Sequence, residues 1–108
     1  MRIEWSEGAY ADYDEILGYL VSEFGQQTAS EFQSRLNYNL SVLAEFPLIG
    51  QSEYTNRKTH IEYRSLSCRQ YKIVYAPLDD HVIIVSLWNN RRNPAALHRL
   101  LLGLNSTL

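Results

Sequence analysis

The spacing of apolar residues changes several times along the chain, and each change marks an element. Arg2, Ile3, Glu4 and Trp5 alternate, the period-two pattern of a short strand with one apolar face. Beyond Ser6 the period lengthens. Tyr13, Ile16, Leu17, Leu20 and Phe24 recur at helical spacing and predict a helix with one apolar stripe. Ser6 suits its N-cap, and Glu7, Asp12, Asp14 and Glu15 favour the positive end of its dipole. Gly25 suits its end. A second stripe, Ala29, Phe32, Leu36, Leu40 and Leu43, predicts a second helix capped near Thr28, with Glu31 three residues on and Pro47 as its stop. Only about two residues join the helices, so an antiparallel hairpin is expected.

Residues 47–59 carry Pro47, Gly50, Ser52 and Asn56 without a period and read as a loop. Three strand signals follow, roughly His60–Leu66, Tyr71–Ala76 and Val82–Trp88, with a turn at Asp79-Asp80. The third is apolar almost throughout and belongs inside a sheet. Short connections make the three antiparallel neighbours. Asn93-Pro94 opens a last short helix with Leu97, Leu100, Leu101 and Leu104 on its stripe. The order predicts an α+β fold: an N-terminal strand, an antiparallel helical hairpin packed on a mainly antiparallel sheet, and a short C-terminal helix. Residues 1–108 are expected to form one domain.

Composition narrows the class. With 45% apolar and 20% charged residues the chain reads as globular. It has no apolar run of the roughly 20 residues a membrane span needs, and its start has no signal-peptide core. A soluble, cytoplasmic protein without membrane association is expected. Cys68 stands alone, without His or Cys at ligand spacing, so neither a disulfide nor a metal site is expected. There is no Gly-rich phosphate loop, and no cofactor is expected. Asn105-Ser106-Thr107 matches a glycosylation sequon, a bland feature in a chain without a secretion signal. His81, after a turn, is expected to be exposed, and the eight tyrosines to be core or core-edge.

The net charge of −2 hides an asymmetry. Residues 1–54 hold nine acids and two bases, a balance of −7, whereas residues 55–108 hold eight bases and three acids, a balance of +5. Two surfaces with different partners would account for it, and so would simple solvation of the helix faces.

The order of elements and the wording at their joints resemble the RelE/ParE superfamily of bacterial toxins, the toxic halves of type II toxin–antitoxin pairs. The resemblance rests on Trp5-Ser6 before the first helix, Phe46-Pro47 with Gly50 after the second, Arg64 with Leu66, then YKIVY (Tyr71–Tyr75) and LWNNRRNP (Leu87–Pro94). It implies growth inhibition, a role in plasmid stabilisation, and a cognate antitoxin that forms a hetero-oligomer with the toxin. It leaves two toxic mechanisms open: ParE-like inhibition of DNA gyrase by binding, or RelE-like cleavage of ribosome-bound mRNA by a metal-independent endoribonuclease.

Cleavage needs a base, an acid and cations for the charged phosphorane. His60, Glu62 and Arg64 differ by two and would form a row on one strand face, with Arg91 and Arg92 nearby. A solvated polar strand face is the blander reading of that row. Arg91 and Arg92 beside the Asn93 cap suit an anion, whether a phosphate, an acid of the first helix or an antitoxin carboxylate. Trp88 reads as packing more than base stacking. The sequence departs from the RelE pattern: EYRSLSCRQ has no lysine, Lys72 stands where many relatives have Arg, and no Tyr or His follows Arg92 until His98, which reads as helix surface. These departures lean toward the ParE-like branch and away from an enzyme. A decayed copy that only binds its antitoxin is a weaker third reading.

Overall fold

The computed structural model describes residues 1–104. Its elements are β1 (Arg2–Trp5), α1 (Glu7–Phe24), α2 (Gln26–Glu45), β2 (Gln51–Thr55), β3 (Glu62–Cys68), β4 (Tyr71–Pro77), β5 (His81–Asn89) and α3 (Pro94–Gly103). The expected α+β order is present, and the Asn105 sequon lies outside the described residues.

Ser6 caps α1 as its side chain allows: its Oγ accepts the Ala9 N–H at 3.1 Å. The hairpin is tighter than its sequence predicts. Gly25 alone joins α1 to α2, at φ 94°. Its N–H donates to Val21 O at 3.1 Å and its own carbonyl accepts from Ala29 N at 3.3 Å, so one residue ends one helix and starts the next. Only glycine takes that φ without steric cost. Thr28 is therefore not a cap but lies inside α2, its hydroxyl donating to Phe24 O at 3.4 Å. Phe24 departs from the expected stripe; it stays exposed at the hairpin tip, edge-on against Tyr19.

The sheet runs β1-β5-β4-β3-β2. β5 pairs antiparallel with β4 and parallel with β1, with Ile3 opposite Val82 and Trp5 opposite Ile84. The parallel pairing places β5 inside the sheet, which is why VIIVSLW is apolar on both faces. Within the stretch expected to be loop lies β2, an edge strand. Its sequence, QSEYT, has one large apolar residue, so pairing to β3 rather than burial holds it. β3 begins at Glu62, two residues later than expected.

Alternation sends the sheet's side chains into two clusters. Cys68, Tyr71, Ile73, Tyr75, Val82, Ile84 and Leu87 meet Ile16, Leu20, Phe32, Leu36 and Leu43 of the hairpin. Tyr63, Val74, Ala76, Val85 and Trp88 meet Leu97 and Leu101 of α3 on the opposite face. Each fully buried aliphatic side chain stabilises the fold by about 2 kcal/mol. Where Ser86 pairs with Val74 but Ile84 pairs with Tyr75, Val85 bulges out; its carbonyl accepts from Ser6 Oγ at 3.3 Å. The α3 start is as expected, with Asn93 Oδ1 accepting Ala95 N–H at 3.0 Å and proline in the first turn. Tyr10, Tyr19 and Tyr38 are exposed, against the expectation that tyrosines line the core.

Candidate functional site

The row of His60, Glu62 and Arg64 does not form. His60 lies outside β3, in the turn after β2, at φ 64°, its N–H bonded to Asn56 O at 2.8 Å. Asn56 holds that turn by accepting the N–H groups of Lys58 and Thr59 at its side-chain oxygen. Glu62 and Arg64 do share a face, and Arg64 Nε donates to Glu62 Oε1 at 2.9 Å. Nη1 is held by the chain itself, donating to Leu48 O at 3.2 Å and to Gly50 O at 2.6 Å. Arg64 thus clamps the turn between α2 and β2. Gly50 completes it, its N–H donating to Tyr75 Oη at 2.9 Å. A Cβ at Gly50 would lie 2.5 Å from Tyr75 Oη and 2.6 Å from Ser65 O, so the close approach needs glycine. Burial pushes the Tyr75 phenol above its ordinary pKa, which keeps it a neutral hydroxyl.

The opposite face carries a different set. Ser65 and Lys72 point toward the α3 side, as do their neighbours Tyr63, Val74 and Trp88. The register of β2 slips between Ser52 and Tyr54, and the bulged residue is Glu53. Bulges re-aim side chains. Here Glu53 Oε2 accepts Ser65 Oγ at 2.5 Å and Lys72 Nζ at 3.0 Å. The Arg92 guanidinium lies 4.0 Å from the centroid of Trp88, which is almost fully buried beneath it. The His98 ring sits 4.9 Å from that of Tyr54. A hollow of about 270 Å³ is lined by Glu53, Lys72, Trp88, Arg92 and His98, among others.

Arg91 and Arg92 follow β5 in a tight turn, with Asn89 accepting both of their backbone N–H groups. They also line a second hollow of about 270 Å³ with Asp12, Glu15 and Tyr19 of α1. Among the described residues neither arginine forms an ion pair with those acids. Asp12 is committed elsewhere, accepting Ser86 Oγ and Leu87 N–H, each at 3.0 Å. The five candidates therefore fall into two groups: Glu62 and Arg64 on the hairpin face with His60 outside the strand, and Arg91 and Arg92 at the C-terminal end of β5.

Sequence reasoning passed over Glu53 and set aside Lys72 and His98. Lys72 had a signal, the alternation with Val74 and Ala76. Glu53 had none, because the stretch that forms β2 reads as a loop. His81 departs from its expected exposure: Nε2 meets Glu4 Oε2 at 3.1 Å and Nδ1 meets Asp80 Oδ1 at 2.7 Å, tying β1 to β5. The hydrogen bond to His81 holds the Asp80 carboxyl below its usual range. Among the described residues no group of three or more His, Cys, Asp or Glu is placed to hold a metal ion, and no helix is long and apolar enough to cross a membrane.

A helical hairpin laid on a mainly antiparallel sheet, with a short helix on the opposite face, defines a small α+β domain. The ParE toxin family of type II toxin–antitoxin systems, parDE, matches residues 3–94, and the chain belongs to that family. A chain of the chromosomal ParDE TA system from P. aeruginosa has a similar fold, with a TM-score of 0.66 at 15% identity over 82% of this chain and 95% of that one. No curated protein matches the chain.

Proposed function

We propose that this type II toxin acts by binding DNA gyrase and inhibiting it, without cutting mRNA. The observation that carries the reading is the division of the five candidate side chains. A cleaving site needs base, acid and cation within reach of one phosphate. Here Arg64 is held by two carbonyls and a carboxylate, His60 lies outside the strand, and Arg91 and Arg92 stand at the other end of the sheet. A binding toxin needs no such convergence, only a stable surface.

The reading includes a cognate antitoxin in a hetero-oligomer with the toxin, in the cytoplasm, as part of a plasmid-stabilising pair. The antitoxin's acidic segment pairs with Arg91 and Arg92, which have no ion-pair partner among the described residues. Charge-assisted pairing at such a fork is directional and strong.

The test is paired. Purified toxin is added to a gyrase supercoiling assay and, separately, to translating ribosomes with a labelled mRNA. The expected result is loss of supercoiling, relieved by the antitoxin, with the mRNA intact. Undisturbed supercoiling at saturating toxin, or mRNA cut at the ribosome, would overturn the reading.

A further inference from the structure

The N-terminal strand is tied to the sheet by side chains as well as by its ladder, and neither the target nor the antitoxin gives that tie a task. Four charged or titratable groups run in a row across the β1–β5 junction. Arg2 Nε lies 3.3 Å from Glu4 Oε1, Glu4 Oε2 lies 3.1 Å from His81 Nε2, and His81 Nδ1 lies 2.7 Å from Asp80 Oδ1. We propose that His81 is a proton-dependent latch on β1: with two ring protons it bridges β1 to the turn between β4 and β5, and on losing one it lets the β1 side of the bridge go.

The geometry imposes the dependence. A carboxylate only accepts hydrogen bonds, and a neutral imidazole has a single N–H. Both ring nitrogens of His81 face carboxylate oxygens, so only the imidazolium satisfies both. The row then alternates in sign from Arg2 to Asp80. The His81 side chain is 19% exposed, so water screens the bridge less than it does an open surface pair. From β1 the ring faces Glu4, with Arg2 behind it; from the turn it faces Asp80, with Asp79 next in the chain. On the β4 side Pro77 and Leu78 carry no charge, and Leu78 N–H donates to His81 O at 2.8 Å. Among the described residues no other acid lies within ion-pair distance of the ring.

With one proton left, the ring keeps the shorter contact. Nδ1 retains its N–H toward Asp80, whose carboxyl this hydrogen bond already holds below its usual range. Nε2 then sets a lone pair against Glu4 Oε2, and the contact turns repulsive. Glu4 falls back on Arg2 of its own strand. What is lost is the side-chain tie between β1 and the rest of the sheet, and the short ladder from Arg2 opposite His81 to Trp5 opposite Ile84 holds alone. The sign follows from the protons. The docked strand favours the doubly protonated ring, so the tie is present below the histidine range and is lost as pH rises through it. An opened β1 exposes Ile3 and Trp5, which pack against the hairpin cluster, and bares the edge of β5 as an unpaired row of N–H and C=O groups.

The experiment is amide hydrogen exchange of the full chain at about pH 6 and about pH 8.5, either side of the histidine range, with each rate divided by its intrinsic value at that pH. The reporter is the Ser6 N–H, which donates to Ile84 O at 2.9 Å at the end of the β1–β5 pairing. The Gly50 N–H, bonded to Tyr75 Oη, is the control. The expected result is a roughly fourfold fall in Ser6 protection from the lower pH to the higher, the scale of one ion pair, with Gly50 unchanged. His81→Gln, which carries no charge, should show the lower protection at both pH values. Glu4→Gln should do the same with His81 in place, and it carries the test should His81→Gln fail to fold. His60→Gln and His98→Gln should keep the parent's pH dependence. Ser6 protection that is flat across the range in the parent, a dependence that survives in His81→Gln or Glu4→Gln, or one abolished by His60→Gln or His98→Gln would overturn the latch. None of these outcomes touches the supercoiling assay, since no residue of the latch enters that reading.

Discussion

The two faces of the sheet spend the same residue types differently. On the hairpin face Arg64, Glu62, Gly50 and Tyr75 bond to one another or to the backbone, and the Nε and Nη1 donors of Arg64 are spent within the chain. On the α3 side Arg92, His98 and one oxygen of Glu53 keep theirs. An arginine in a suggestive motif is thus a structural part when its fork is filled by carbonyls, and a candidate for recognition when it is positioned but empty. The hairpin face also carries the larger apolar cluster, with two helices closing it where α3 alone closes the other.

This contrast can be broken by substitution. Leu36→Ala removes a side chain fully buried beneath the hairpin and should cost about 4 kcal/mol in urea unfolding, against about 2 kcal/mol for Leu101→Ala under α3. Equal costs would show that the two layers contribute alike. Gly50→Ala forces a Cβ against Tyr75 and Ser65 and should cost about 3 kcal/mol by the same measurement. A near-neutral effect would mean that the clamp is loose. Arg64→Ala should cost about 2 kcal/mol, and its toxicity should fall only in step with the folded fraction. Full stability with toxicity lost would make Arg64 a functional residue instead. Arg92→Ala should stay within about 0.5 kcal/mol of the parent while antitoxin affinity drops about tenfold, measured by calorimetry. The smallest effect belongs to Asp80. Its pKa is lowered in the fold, so its contribution is present above the ordinary carboxylate range and is lost as pH falls through the lowered value. Asp80→Asn should therefore be slightly less stable than the parent at neutral pH and indistinguishable from it in strong acid. A gap that persists in acid would sink the assignment.

The fold was readable because its signals are local and repeated. The stripe from Phe32 to Leu43, the alternation in β4 and the Asn93-Pro94 cap each predict their element without knowledge of the rest. β2 escaped because an edge strand held by pairing needs few apolar residues. Thr28 misled because a threonine with a glutamate three residues on looks like a cap, whereas Gly25 had already performed that task. The site was less legible for the same physical reason in each case. Spacing by two places Glu62 and Arg64 on one face, but it says nothing of whether carbonyls will fill the guanidinium. Nor does it foresee an edge strand that brings Glu53 to Lys72, or a tryptophan that seats Arg92.

The parallel pairing of β1 with β5 has a consequence for the order in which the chain can finish. Arg2 through Trp5 bond to a segment that begins at His81. A chain synthesised from its N-terminus exposes β1 well before β5, and β1 waits for partners made about 80 residues later. Closing a loop of that length carries an entropic cost that local hairpins do not, so the edge strand docks after the β3–β4–β5 meander has formed. A nascent toxin therefore lacks its full sheet until β5 has left the ribosome.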